Sequence, residues 1–136
     1  METRMERAER LHKMGYNCAQ SVVCAYCDAF DLDEETAFKM AEGFGSGMGL
    51  FEVCGALTGA FMLAGVKGSK GTAHPGETKG RTYQATRALG KAFQEKNGSY
   101  LCHELKGMTD GVVRRTCPGC IEDACRLIEE QLLENK

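Results

Sequence analysis

The sequence predicts an all-α fold, a compact single-domain helical bundle of about five to six helices over residues 1–136. Three observations predict it. Apolar residues recur at helical spacing along most of the chain, strand-like alternation is almost absent, and Asn17 and Asp33 stand where helix caps are expected. A chain of 136 residues with 43% hydrophobic residues can build one core without metal or disulfide support.

The N-terminal half contains three predicted helices. The charged stretch over 2–13 carries apolar residues at helical spacing and is expected to form a short surface helix. The second helix begins after the cap at Asn17 and covers CAQSVVCAYCDAF, residues 18–30. The third begins at Asp33, because the acidic residues after it favour the positive end of the helix dipole. This third helix runs into a glycine-rich segment.

That glycine-rich segment precedes the predicted central helix. Glycine occupies every second position over 43–49, and fourteen uncharged residues follow over 53–66. On a helix, Gly55 and Gly59 share one face and allow a neighbouring backbone to approach, with Cys54 beside them. The glycines lack the lysine and hydroxyl of a nucleotide-binding loop. Close backbone approach or a mobile lid explains them better than phosphate binding.

The C-terminal half begins with an exposed loop, residues 67–80, which is rich in Gly, Lys, Ser and Thr. A long amphipathic helix is expected over 78–97, followed by a short helix that carries Cys102. The segment 108–116 is expected to be irregular. A last amphipathic helix begins at Cys117 and continues to the end of the chain.

Composition excludes several classes of function. The 17 basic and 19 acidic residues nearly balance and form no basic run, so no nucleic-acid partner is expected. The N-terminus METRMERAER lacks the apolar core of a signal peptide, and the longest uncharged run is too short to span a bilayer. We therefore expect a cytoplasmic protein. Eight cysteines in a reducing compartment indicate catalysis or metal binding rather than structural disulfides.

The sharpest motif is CPGC, residues 117–120. It is expected to place Cys117 at the cap of the last helix and Cys120 in its first turn, where the helix dipole stabilises a thiolate. The spacing also suits a disulfide or two ligands of one metal. A thioredoxin fold would need a strand and βαβ units around the motif, which this sequence lacks. Simple burial of both thiols is the plain alternative.

A second CxxC motif is formed by Cys24 and Cys27. Both are predicted to lie in the middle of a helix, where thiols three residues apart share a face without any capping charge. We expect them to pack in the core, because free cysteine is among the most buried residue types.

Five segments together resemble the redox-active protein family that is named for its C-GCAxxG-C-C cysteine pattern. The combination spans nearly the whole chain and is specific, although each piece alone would be weak. The segments are NCAQS at 17–21, the glycines of 43–49, VCGALTG at 53–59, Cys102 and Cys117-Pro118. The resemblance puts the four cysteines of the family on Cys18, Cys54, Cys102 and Cys117, and its glycines on Gly55 and Gly59. Four cysteines are additional to the pattern: Cys24, Cys27, Cys120 and Cys125.

The resemblance implies thiol or metal redox chemistry without naming a substrate. In the leading hypothesis, the cysteines converge and the protein performs thiol/disulfide chemistry with an unidentified redox partner. Cys117 is then the activated nucleophile, because it stands at a helix start, and Cys54 or Cys120 resolves the mixed disulfide.

Two further functions stay open. In the metal alternative, Cys18, Cys54, Cys102 and Cys117 hold a [2Fe-2S] cluster or a tetrahedral zinc ion, for which soft sulfur ligands are suitable. In the structural alternative, the domain is an adaptor whose thiols are buried and unreactive. Such an adaptor is expected to form a homodimer through the small-residue face around Gly55 and Gly59.

Overall fold

The computed structural model describes residues 1–134, so the last two positions of the predicted C-terminal helix lie outside the described chain. The all-α prediction is confirmed, since the described residues form helices and a single isolated antiparallel bridge but no strand. The α-helices are α1 Arg4–Lys13, α2 Cys18–Ala25, α3 Glu34–Ala41, α4 Gly55–Gly68, α5 Lys79–Asn97, α6 Cys102–Leu105 and α7 Cys117–Leu127. A π-helical segment, Ile128–Leu133, continues α7.

Side-chain caps set the starts of α2 and α3. Asn17 accepts a hydrogen bond from the Gln20 amide, and the Gln20 side chain accepts one from the Asn17 amide, which completes a capping box. Asp33 caps α3 by accepting from the Thr36 amide. Both predicted caps are therefore confirmed, and the first of them makes Cys18 the first residue of α2.

The second helix is shorter than predicted. It ends at Ala25, and a short 3₁₀ helix, Cys27–Phe30, follows it. Tyr26 lies between the two with φ −112° and ψ 6°, outside α-helical geometry, and its buried hydroxyl donates to the Glu129 carboxylate over 2.8 Å. The expectation that Cys24 and Cys27 lie in the middle of one helix is therefore wrong, because the anchored tyrosine breaks the helix between them.

Helix α4 occupies the centre of the fold, where it packs against α2, α5 and α7. A Cβ added at Gly55 would lie 2.9 Å from the Phe44 carbonyl oxygen, and one at Gly59 would lie 3.1 Å from that of Ala19. The two glycines thus admit the α2 backbone and the end of the α3 segment, as the sequence predicts. This face is covered by the same chain, so a homodimer would need another surface.

The glycine-rich segment before α4 turns sharply instead of forming a regular helix. A Cβ at Gly47 would lie 2.9 Å from the Cys102 Cβ and 2.5 Å from the Glu52 amide nitrogen, so only glycine fits this approach. The segment serves close packing beside Cys102. Positive φ angles occur at Ser46, Gly47, Met48, Gly49 and Phe51.

Each of the seven α-helices contributes at least one buried side chain to one hydrophobic cluster. Apolar burial is the main stabilising contribution in such a fold. Within residues 1–134, none of the helices combines the length and apolar character that a bilayer crossing requires.

Candidate functional site

Five cysteines from four separate segments line one cavity. The structure thus brings together every cysteine that the sequence singled out as catalytic or metal-binding. Four of them are the first residue of a helix or the residue just before it, and the fifth lies in the first turn of α7. They are Cys18 at the start of α2, Cys54 before α4, Cys102 at the start of α6, and Cys117 and Cys120 at the start of α7.

Backbone pairing places two of these cysteines side by side. The Cys54 amide donates to the Tyr100 carbonyl over 2.8 Å, and the Cys102 amide donates to the Glu52 carbonyl. These bonds flank the isolated bridge between Val53 and Leu101. The short antiparallel pairing therefore holds the start of α6 against the start of α4.

The close contact of Gly55 and Gly59 in α4 with α2, called the glycine seam below, brings the start of α2 into the site. A Cβ at Gly55 would lie 3.4 Å from the Cys18 Cβ, so the start of α2 lies directly against the start of α4. A larger residue at position 55 would push Cys18 away from the cavity. The small residue beside Cys54 is thus part of how the site is built.

The cavity is small and opens at one edge. Its volume is about 20 Å³, which is room for roughly one water molecule. Cys18 and Cys117 are partly exposed, whereas Cys54, Cys102 and Cys120 are buried. The exposed edge is therefore the place where an external molecule first meets a sulfur atom.

The two partly exposed thiols form a pair across α2 and α7. The Cys18 thiol donates a hydrogen bond to the Cys117 sulfur, which lowers the pKa of Cys117 to about 6. The positive charge of Lys106 acts in the same direction. The same hydrogen bond raises the pKa of Cys18, because it favours the protonated donor. Cys117 is therefore the thiol of the pair that loses its proton first, and Cys18 is the one that stays protonated.

The buried thiols form a second pair across α4 and α7. A hydrogen bond from the Cys120 thiol lowers the pKa of Cys54 against the opposing effect of burial, and the pKa of Cys120 rises correspondingly. The amides of Leu57 and Ala56 point at the Cys54 sulfur and stabilise its charge without closing a capping hydrogen bond. Cys102 belongs to neither pair, and burial raises its pKa.

The CPGC motif lies one residue further into the helix than predicted. Thr116 is the N-cap of α7, because its side chain accepts from the Gly119 amide over 3.2 Å, and Cys117 is the first helical residue. The expectation that Cys117 is the cap itself is therefore wrong. A hydroxyl oxygen is a better acceptor than a sulfur for the free amides of a first turn.

Two cationic residues in the cavity wall were missed by the sequence analysis. One is Lys106, whose ammonium group stands 5.7 Å from the centre of the Phe51 ring. Its spacing could have identified it, because it follows Cys102 by four residues and so falls on the same side of a helical turn.

The other cation is Arg115, two residues before Cys117. Its guanidinium donates two hydrogen bonds to the Asp123 carboxylate, at 3.0 and 3.1 Å, and lies over Gly119. A Cβ at Gly119 would lie 2.5 Å from the Arg115 Nε, so the glycine of the motif makes room for the arginine. Asp123 is 2% exposed and also accepts from Lys96 over 2.8 Å. The arginine is thus fixed to the first turns of α7.

The predicted metal ligands line the cavity but do not fit a metal ion as they are arranged. Within residues 1–134, no group of three or more His, Cys, Asp or Glu side chains could hold one. The sulfur atoms instead face each other in hydrogen-bonded pairs, whereas zinc requires four ligands about 2.3 Å from a common centre. All eight cysteines are free thiols.

The remaining cysteines lie away from this cavity. Cys24 and Cys27 form a third pair at the other end of α2, and the Cys24 Sγ lies 3.9 Å from the Glu34 carbonyl oxygen. Cys125 is fully buried, and burial raises its pKa to about 12. A larger cavity, about 380 Å³, is lined by residues of both α4 and α5 and has no cysteine in its wall.

The fold and the site define a class: a helical protein whose cysteines, from separate helix starts, gather in one cavity. Residues 16–131 match the model of the family described as "Putative redox-active protein (C_GCAxxG_C_C)", and the chain belongs to this family. The resemblance drawn from the motifs is thereby confirmed. Neither a search of curated proteins nor a search of solved structures found a match.

Proposed function

We propose that this protein carries out thiol/disulfide redox chemistry, with Cys117 as the reactive thiolate and Cys18 as its partner. One observation carries the proposal: two partly exposed thiols from different helices, Cys18 and Cys117, line the same cavity as three further cysteines. The lowered pKa of Cys117 supplies the nucleophile that such chemistry needs.

The reaction is a reversible two-electron step. Oxidation removes two electrons and the remaining thiol proton from the pair and forms an S–S bond between Cys18 and Cys117. Reduction by an external dithiol breaks that bond: the dithiol becomes a disulfide, and both protein sulfurs are released as thiol and thiolate. Formation of the disulfide requires the two sulfur atoms to approach to about 2.05 Å.

The buried pair extends this chemistry into the core. The Cys54 thiolate attacks the Cys117 sulfur of the disulfide, which forms a Cys54–Cys117 bond and releases Cys18 as thiolate. Cys120 then loses its proton to Cys18 and attacks the Cys54 sulfur, so that Cys117 leaves as thiolate. Electrons thus pass from the buried pair to the exposed pair. Cys54, Cys117 and Cys120 keep the catalytic roles that the sequence predicts, with Cys18 added as first partner.

A cysteine-bound metal is the second candidate. It is favoured by the five sulfur atoms around one cavity, which form a soft ligand set, and opposed by their pairwise arrangement. About two iron ions or about one zinc ion per chain, in protein purified without oxygen, would support this candidate. The structural-adaptor alternative predicts that all eight thiols react slowly with labelling reagents. The partial exposure of Cys117 opposes it.

The test is a redox titration in glutathione buffers of graded potential, followed by acid quenching, alkylation and peptide mass mapping. We expect a reversible disulfide that joins Cys18 to Cys117. Cys117→Ser and Cys18→Ser each abolish it, while Cys27→Ser, a matched change outside the cavity, leaves the titration unchanged. The proposal fails if no disulfide forms among the cavity cysteines at any potential.

A further inference from the structure

The cavity is too small for most oxidants of thiols. Its volume of about 20 Å³ holds a molecule little larger than water, whereas sites for drug-sized ligands have about 300–1,000 Å³. Glutathione disulfide or an aryl hydroperoxide would therefore meet Cys117 only at the surface edge. A triatomic or tetratomic molecule, in contrast, can enter among the sulfur atoms.

Positive charge surrounds this space. Lys106 and Arg115 both line the cavity, and the charge of Lys106 helps to lower the pKa of Cys117. The Arg115 Nε and Nη2 bind Asp123, so its position is fixed while Nη1 stays outside that ion pair. Cations fixed beside a nucleophile stabilise negative charge that develops on a leaving group. The wall is suited to a reaction that expels an anion as small as hydroxide.

We infer that the oxidant taken by this site is a small hydroperoxide of about the size of hydrogen peroxide, reduced at Cys117 with Cys18 as the resolving thiol. The inference rests on the proposed dithiol function and names its substrate class. It draws on three features together: the volume of the cavity, the cationic wall, and a second thiol, Cys18, that lines the same cavity as Cys117.

In the first step, the Cys117 thiolate attacks one oxygen of the peroxide. An S–O bond forms, the O–O bond breaks, Cys117 becomes a sulfenic acid and hydroxide leaves beside Lys106 and Arg115. The hydroxide takes the proton of the Cys18 thiol and becomes water. This proton transfer also converts Cys18 into the nucleophile for the next step.

In the second step, the Cys18 thiolate attacks the sulfur of the sulfenic acid. The S–O bond breaks, a Cys18–Cys117 disulfide forms, and a second hydroxide takes a proton from solvent. The sum is one thiolate, one thiol, one peroxide and one proton giving one disulfide and two waters. An external dithiol then returns the pair to its reduced form.

The experiment compares three oxidants on the reduced full-length protein, in single-turnover reactions at equal concentration. Hydrogen peroxide, cumene hydroperoxide and glutathione disulfide are each followed by acid quench and by mass mapping of the Cys18–Cys117 disulfide. We expect hydrogen peroxide to react at least about tenfold faster than either bulky oxidant, as size selection by a tight pocket allows. In Cys18→Ser, hydrogen peroxide should leave a Cys117 sulfenic acid that dimedone traps.

The cationic wall is tested with Lys106→Met, which keeps the aliphatic stem, against Lys70→Met, which removes an equal charge from the exposed loop after α4. Only the first should slow the reaction with hydrogen peroxide, by about tenfold, since one fixed charge beside a transition state contributes on that scale. Circular dichroism of both variants reports whether the fold is kept.

The outcomes separate this inference from the function on which it rests. Equal or faster oxidation by glutathione disulfide or cumene hydroperoxide overturns the small-peroxide assignment and leaves the dithiol function standing. Equal effects of Lys106→Met and Lys70→Met also overturn it. Absence of any reversible disulfide among the cavity cysteines with all three oxidants overturns both.

Discussion

The chain contains two CxxC motifs, and the structure uses them in opposite ways. In CAYC, residues 24–27, the two thiols are buried and hydrogen-bond to each other. In CPGC, residues 117–120, the two thiols turn to different partners, Cys117 to Cys18 and Cys120 to Cys54. Equal spacing in the sequence thus leads to an internal pair in one case and to two pairs across helices in the other.

The difference arises from where each motif meets its helix. CAYC lies at the end of α2, where Tyr26 breaks the helix and both thiols are buried. CPGC lies at the start of α7, where unpaired amides and fixed cations favour a thiolate. The comparison teaches that the helix terminus and the neighbouring helices, rather than the spacing, decide which partners the thiols of a CxxC motif meet.

The largest expected effect is the loss of fast alkylation in Cys117→Ser. With a pKa of about 6, half of Cys117 is thiolate at pH 6, and after correction for its weaker nucleophilicity it should react about 20-fold faster than an ordinary thiol. Iodoacetamide labelling at pH 6 with peptide mapping measures this rate. Cys27→Ser is the matched control in the other motif. An unchanged fast phase in Cys117→Ser would remove the distinction between the two motifs.

A second prediction concerns the glycine seam, which holds the start of α2, and so Cys18, against α4. Gly55→Ala should lower the free energy of unfolding by about 1–3 kcal/mol, because the added methyl meets the Phe44 carbonyl oxygen at 2.9 Å. Urea denaturation measures the change. Gly65→Ala in the same helix meets nothing within 4 Å and should be neutral or stabilising by up to about 1 kcal/mol. Equal stabilities of the two variants would contradict this account of the seam.

A smaller effect is expected from Cys18→Ala on the pH dependence of the alkylation rate of Cys117. The hydrogen bond from Cys18 favours the thiolate, so its removal should raise the pKa of Cys117 from about 6 toward the ordinary value of 9.0. The alkylation rate at pH 6 should then fall about two- to threefold, since the thiolate population shrinks while its nucleophilicity rises. Labelling rates from pH 4 to 9 give the midpoint. A midpoint that stays at its original pH would show that Cys18 does not hold the thiolate.

The smallest effect is expected from removing the internal pair. Cys24→Ala with Cys27→Ala should leave the Cys117 alkylation rate within about twofold and lower the free energy of unfolding by about 1–2 kcal/mol through lost packing. The same labelling and urea measurements apply. A large change in Cys117 reactivity would mean that the two ends of α2 are coupled.

Much of the fold could be predicted from local signals. The caps at Asn17 and Asp33, the uncharged central helix and the loop after it depend on neighbouring residues, and all were predicted before the structure. The end of α2 could not be predicted, because Tyr26 breaks the helix by reaching Glu129, which lies about a hundred residues further along the chain. A helix boundary that depends on a residue far away in the sequence cannot be predicted from the residues next to it.

The sequence by itself pointed to the five cysteines that line the cavity, since the family resemblance names Cys18, Cys54, Cys102 and Cys117 and the CPGC motif adds Cys120. Only the tertiary structure decided how the cavity sulfurs pair, which of them meets solvent, and that Lys106 and Arg115 stand beside them. The physical reason is that motifs encode local backbone geometry, whereas thiol pairing depends on the packing of helices brought together by the α2–α4 seam and the bridge from Val53 to Leu101.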